Sequence, residues 1–178
     1  MEAHCRKSMR KNVNKPIELS ESLEDYLETI LDLQINHKVA RSKDIAKKMG
    51  VKQGSVTGML KNLATKKFIN YQPYGFITLT PEGKKIAREI KRKHLIINDF
   101  LFRILQVDDE KADKTACRME HIMDRSIVDR LVDFIDFIDT CPRTGSHWIK
   151  LFGEYCATHE QDRSRCIKCL DDCTARLK

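Results

Sequence analysis

Arg41-Ser-Lys-Asp-Ile-Ala-Lys-Lys-Met-Gly50 runs directly into Val51-Lys-Gln-Gly-Ser-Val-Thr-Gly-Met-Leu-Lys-Asn-Leu63, and these 23 residues decide the fold. Ile45, Ala46 and Met49 recur at helical spacing after Ser42, a candidate N-cap. Gly50 suits the left-handed residue that ends such a helix. Val56, Met59, Leu60 and Leu63 give a second helix its apolar face, while Lys52, Gln53, Ser55, Thr57 and Gly58 stay near its exposed N-terminal end. Two short helices across a glycine turn, the second opening on small polar residues, read as a helix-turn-helix. Gln53, Ser55 and Thr57 can bond base edges, and Lys52 a base or a phosphate. Gly58 keeps the helix slim towards the duplex, or serves packing.

Working outward, Phe68, Ile69 and Tyr71 face Phe76, Ile77 and Leu79 across Gln72-Pro73-Tyr74-Gly75, which predicts a β-hairpin, the wing. Thr80 then caps a helix with Pro81 at its first position, and Lys84 and Lys85 follow as phosphate contacts. Upstream, Leu23, Tyr26, Leu27, Ile30 and Leu31 predict a helix that starts near Ser20 or Ser22. Downstream, helices are expected from Asp113 to Asp124 and from Ser126 to Ile138. Their apolar faces exceed what so short a chain can cover, which suggests dimerisation.

Charge agrees with this division. The net charge is +7, yet residues 38–93 carry 15 Lys/Arg against 3 Asp/Glu, a local excess of +12. Residues 1–37 hold 5 against 7, and residues 94–178 hold 13 against 16. A positive excess confined to the module that reads as winged helix is the electrostatic footprint of nucleic-acid binding. No apolar run reaches the roughly 20 residues of a membrane span, and the polar, basic Met1–Lys15 lacks a secretory core, so a cytoplasmic protein is expected.

Asp25 and Glu28 stand three residues apart. Cys117, Glu120 and His121 occupy i, i+3 and i+4, and His94 lies between the two groups. All are good divalent-metal ligand types, and each local set projects from one helix face. Taken alone, Asp25 and Glu28 also read as carboxylates favoured by the helix macrodipole. Hard carboxylates suit Mn²⁺ and Fe²⁺, while the thiolate and imidazoles shift preference towards Fe²⁺, Co²⁺ or Zn²⁺; Fe²⁺ is the first choice and Mn²⁺ the second. Seven cysteines without an export signal point to metal or redox chemistry rather than disulfides. Cys156, Cys166, Cys169 and Cys173 form C-x₉-C-x₂-C-x₃-C, a spacing that could hold Zn²⁺ or, as a second choice, an iron–sulfur cluster. Idle thiols beneath Trp148, Phe152 and Tyr155 are the other reading.

This order of elements closely resembles the diphtheria-toxin-repressor family of metal-dependent repressors, including its manganese-transport-regulator branch. The resemblance spans Glu21 to Asp139 and rests on Glu24-Asp-Tyr-Leu-Glu-Thr-Ile30, the helix-turn-helix, Leu79-Thr-Pro-Glu-Gly-Lys84 and Ala116-Cys-Arg-Met-Glu-His121. It implies a mostly α fold: an N-terminal winged helix-turn-helix, then an all-helical dimerisation domain, binding operator DNA as a homodimer with Fe²⁺ or Mn²⁺ as co-repressor. Matched by position, Asp25 and Glu28 resemble ligands of the manganese branch, and Cys117 resembles the iron branch. His94 matches a ligand His found in both branches, though at different metal sites, and Glu120 and His121 match the Glu-His ligand pair. Asn98 and Asp113 depart from the iron-branch ligands at a second, ancillary site, and too few residues follow Asp139 for an SH3-like domain.

The expected organisation is a disordered basic arm (1–18), a winged helix (19–90), a helical metal-binding and dimerisation domain (91–139) and a Cys-rich tail (140–178). A winged-helix regulator that senses no metal is the competing reading. A metalloenzyme is the third, opposed by the lack of a nucleophile–base motif or a Gly-rich phosphate loop.

Overall fold

The computed structural model describes residues 19–159 except 38, 74, 142, 143 and 145, together with residues 164, 167, 171, 174 and 175. The expected arm and Cys166, Cys169 and Cys173 lie outside the described residues.

Helix α1 (Glu21–His37) buries Leu23, Tyr26, Leu27, Ile30, Leu31 and Leu33. The Ser20 carbonyl accepts from the amides of Leu23 and Glu24, so Ser20 precedes the helix and Ser22 lies within it. Helix α2 (Ser42–Met49) departs from expectation at its start: Arg41 is the N-cap, without a side-chain bond, and Ser42 is the first helical residue. The cause is upstream. Ala40 and Ile77 exchange backbone hydrogen bonds of 3.3 and 2.9 Å, which keep the chain extended up to Arg41. Gly50 ends α2 at φ +66°, as its position predicts.

Helix α3 (Gln53–Thr65) buries Val56, Leu60 and Leu63. The wing is shorter than its sequence suggests. Strands β1 (Ile69–Asn70) and β2 (Thr78–Leu79) pair antiparallel, Ile69 opposite Leu79, and the Ala40–Ile77 bridge extends the ladder. Thr80 then clamps the wing to the next helix: its Oγ1 donates towards the carbonyls of Lys67 (2.8 Å) and Phe68 (3.1 Å) and accepts from the Gly83 amide (3.2 Å). A Cβ on Gly83 would stand 2.0 Å from the Phe68 carbonyl oxygen, so this motif requires glycine there.

Helix α4 (Pro81–Asp99) joins two cores. Ala87 belongs to the first, with α1, α2, α3 and the wing, whereas Ile97 belongs to the second. A π-helical segment, Phe100–Ile104, continues it. Helix α5 (Asp109–Ile122) starts four residues earlier than expected, because Asp108 caps it by accepting from the Lys111 amide at 3.2 Å. Helix α6 (Arg125–Thr140) follows. Helix α7 (Ser146–Thr158) was not anticipated; it anchors Ile149 among Ile104, Ile135 and Ile138. Burying one such side chain contributes about 1.5–3 kcal/mol. Among the described residues no helix is long and apolar enough to cross a membrane.

Candidate metal centre and nucleic-acid interface

The site forms where α1, α4 and α5 meet. One turn of α1 presents Glu24, Asp25 and Glu28; α4 presents His94; α5 presents Asp113, Cys117, Glu120 and His121. One ligand atom from each of Asp25, Cys117, Glu120 and His121 lies within 4.8 Å of the others. These four predicted ligands are thus brought together from helices nearly a hundred residues apart. His94 and Glu28 flank them. Nδ1 of His94 is 2.8 Å from Glu120 Oε2, and the charges of Glu120 and His94 both act on the Glu28 carboxyl.

Glu120 carries the chemistry. Its side chain is fully buried, and among the described residues no donor reaches Oε1 within hydrogen-bond range. Oε1 lies 3.5 Å from His121 Nε2, an ion pair only when that imidazole is protonated. An ionised carboxylate oxygen buried without a partner is costly, and a cation is what cancels that cost.

Every perturbed group in the cluster responds to the same excess of negative charge. Burial, then the charge of Glu120, raises the Glu28 carboxyl above its usual range. Although Cys117 is exposed at the surface, partial desolvation and the charges of Glu120, Asp25, Glu28 and Asp113 push its thiol up to about 11. The hydrogen bond to Glu120 raises His94 against the opposing effect of burial. Burial pulls His121 down, but its bond to Glu24 and the charges of Asp25 and Glu120 raise it overall. A divalent ion at this point would reverse these effects, supplying Oε1 with a partner and favouring thiolate and bare imidazole. The donor set of carboxylates, imidazoles and one thiol fits a first-row divalent metal.

The contacts of three residues near the centre were not legible in the sequence, although Asp113 was noted there as a departure from an ancillary-site ligand. Glu24 Oε2 is 2.7 Å from His121 Nδ1, and Asp113 Oδ1 is 3.2 Å from His94 Nε2. Asp32, two turns along α1 from Asp25, pairs with Lys48 of α2 at 2.5 Å and also with Lys91 of α4. Glu24 lies one turn before Glu28, so helical spacing could have grouped it with the site. Only the packing of α2 against α1 reveals Asp32.

At the start of α3, Lys52, Gln53, Ser55 and Gly58 are exposed. Thr57 is half-buried, and its hydroxyl donates to its own helix at Gln53 O, 3.4 Å away. A Cβ on Gly58 would meet nothing within 4 Å, which leaves a packing role without support. A cleft of about 600 Å³ separates α3 from the wing, bordered by Arg41, Lys43 and Lys61 besides Gln53 and Thr57. The Arg41 guanidinium stands 5.0 Å from the centre of the Phe76 ring, tying α2 to the wing. Arg41 and Lys43 come from the start of α2 and Lys61 from the second half of α3; they were missed because only the N-terminal part of the recognition helix was weighed. Lys84 and Lys85 share a further exposed surface with Arg88 and Arg92.

Residues 18–76 match the family model described as iron dependent repressor, N-terminal DNA binding domain. Residues 80–149 match iron dependent repressor, metal binding and dimerisation domain. The chain belongs to the iron-dependent repressor family. An HTH-type transcriptional regulator of Methanocaldococcus jannaschii is 38% identical over 119 residues, covering 66% of this chain and 95% of that one. The transcriptional regulator MntR of Salmonella typhimurium is 40% identical over 114 residues, covering 64% and 72%. The structure of the manganese regulator SloR superposes with a TM-score of 0.59 at 30% identity, over 68% of this chain. The chain spans 56% of the SloR chain's length. This family is one of transcriptional regulators, in keeping with the mostly helical fold and the two cores described above.

Proposed function

We propose that this protein is a metal-dependent transcriptional repressor of metal-uptake and homeostasis genes, with Fe²⁺ or Mn²⁺ as co-repressor. The observation that carries the reading is Glu120 Oε1, without a hydrogen-bond donor among the described residues and buried where Asp25 of the DNA-binding half meets Cys117 and His121 of the second helical half. Asp25, Glu28, His94, Cys117, Glu120 and His121 would hold the metal, which supplies the charge that lets these groups approach. Cys117 favours Fe²⁺ over Mn²⁺, because a thiolate is softer than the oxygen donors around it.

The chain's own residues explain how binding reaches DNA. Asp25 and Glu28 sit on α1, and Asp32 on the same helix holds Lys48 of α2, next to the recognition helix. Drawing the α1 carboxylates towards α5 fixes the DNA-binding half against the dimerisation half. If metal favours the DNA-competent arrangement, operator DNA tightens metal binding by the same factor. Gln53, Ser55 and Thr57 would read bases, Gly58 would admit the duplex, and Lys52, Lys84 and Lys85 would neutralise phosphates. Exposed Ile127, Phe134 and Phe137 on α6 support pairing with a second copy of the chain. A cytoplasmic location follows from this role. The division into 1–18, 19–90, 91–139 and 140–178 is kept with one qualification: α4 crosses the 90/91 boundary as a continuous helix.

The test is substitution of Glu120 or His121 by Ala. Either should abolish metal-stimulated DNA binding while the protein stays folded; normal metal-dependent binding would overturn the site. In the tail, Cys156 is exposed at the end of α7, and we propose that it joins Cys166, Cys169 and Cys173 around Zn²⁺ rather than an iron–sulfur cluster. Undiminished zinc content in the Cys166→Ser, Cys169→Ser double variant would dispose of that site.

A further inference from the structure

We propose that Glu24 is the positioning residue of the metal centre: it fixes the His121 ring so that Nε2 faces the ligand cluster. The proposal rests on reading Asp25, Cys117, Glu120 and His121 as a metal site.

The two ring nitrogens of His121 face different surroundings. Nε2 lies 3.0 Å from Asp25 Oδ1 and 3.5 Å from Glu120 Oε1, within the cluster. Nδ1 points outward, 2.7 Å from Glu24 Oε2. An imidazole binds metal through one nitrogen, and a carboxylate accepting from the other sets both tautomer and ring plane. Glu24 is placed to do this. The His121 side chain is only 5% exposed, so its ring has little freedom to seek a different acceptor, and Glu24 itself is 23% exposed. Sequence explains the division of labour between neighbours on α1. Adjacent helical positions are rotated by about 100° from one another, so Asp25 reaches the metal side of the ring while Glu24 reaches the outer side.

A carboxylate in the first turn of a helix is also favoured by the macrodipole alone. That role predicts an effect of Glu24 on helix stability and none on metal affinity, which makes the two separable. Asp113 stands in a similar relation to His94, at 3.2 Å, but its side chain is 64% exposed and water competes for the contact.

The experiment uses the full-length chain and measures Mn²⁺ and Co²⁺ affinity by competition with a chelating dye, with the visible absorption of bound Co²⁺ recorded in parallel. Wild type should bind both ions. Glu24→Ala should lose about 10- to 100-fold in affinity and change the Co²⁺ spectrum, with thermal unfolding of the metal-free protein recorded separately to read its contribution to stability. Glu24→Gln, whose amide oxygen can still accept from Nδ1, should recover a large part of the loss. Wild-type affinity and spectrum in both variants would overturn the role of Glu24 and leave the metal site intact. Failure of the wild-type chain to bind either ion would overturn the site itself.

Discussion

Replacing Glu120 by Gln should move the stability of the protein in opposite directions with and without metal. In the metal-free chain no hydrogen-bond donor among the described residues reaches the buried Oε1, and leaving such an atom unsatisfied costs roughly 1–3 kcal/mol. The amide removes that charge but weakens the 2.8 Å bond with His94, a charge-assisted contact about 1 kcal/mol stronger than its neutral counterpart. The net expectation is a gain of about 1 kcal/mol, or roughly 2–4 °C for a chain of this size. With metal at a hundred times its dissociation constant, wild type gains about 2.7 kcal/mol. An affinity weakened a hundredfold leaves the variant only about 0.4 kcal/mol at the same concentration. The two melting curves should therefore cross: the variant melts higher in chelator, and wild type melts higher in Mn²⁺ or anaerobic Fe²⁺. Scanning calorimetry under both conditions reads this directly. A variant that is destabilised without metal, yet gains as much as wild type with it, would refute the reasoning.

Four further outcomes are expected. Cys117→Glu should shift the ratio of activating concentrations towards Mn²⁺, because an oxygen donor replaces a thiol that needs metal to ionise; an unchanged Fe²⁺/Mn²⁺ ratio in DNA retardation speaks against it. Gly58→Ala should raise stability by about 0.5–1 kcal/mol, since the new Cβ meets nothing, while weakening operator binding; unimpaired binding would show that this face does not approach the duplex. Loss of Ser55 should change sequence preference, whereas loss of Lys84 should weaken all sequences and lower the salt slope by about one, both read from binding isotherms at several salt concentrations. For pH, His94 and His121 both titrate above the ordinary 6.5 in the folded chain. The stability they contribute without metal is complete below that value and is lost as pH rises through the raised ones. Metal binding needs bare nitrogens, so affinity should instead increase as pH rises above 6.5 through the raised imidazole values, measured by denaturant melts and metal titrations over that rise.

The helix-turn-helix was legible because Ile45, Val56, Leu60 and Leu63 repeat at one period and Gly50 marks the turn. Local periodicity and a glycine are sufficient to specify it. The wing was legible in place but not in length, since short strands depend on the Ala40–Ile77 bridge, a contact between distant residues. Helix α7 was hidden because its core contact, Ile149 against Ile104, Ile135 and Ile138, is set by the preceding helices and not by its own pattern. At the centre, ligand types and i, i+3, i+4 spacing revealed which residues share a helix face. They could not reveal that Glu24 faces the outer nitrogen of His121, that Asp32 holds Lys48, or that among the described residues no hydrogen-bond donor reaches Glu120 Oε1. Those facts depend on how α1, α4 and α5 cross.

The central claim is that metal in the α1–α4–α5 cluster controls DNA binding. The most direct measurement is the affinity of the full-length chain for duplex DNA from its own upstream region, with Fe²⁺, Mn²⁺, Co²⁺ and Zn²⁺ each titrated anaerobically against a chelator control. Affinity should rise steeply with Fe²⁺ or Mn²⁺, remain at the nonspecific level in chelator, and fail to rise in Glu120→Ala. Equal, tight binding with and without metal would contradict the account.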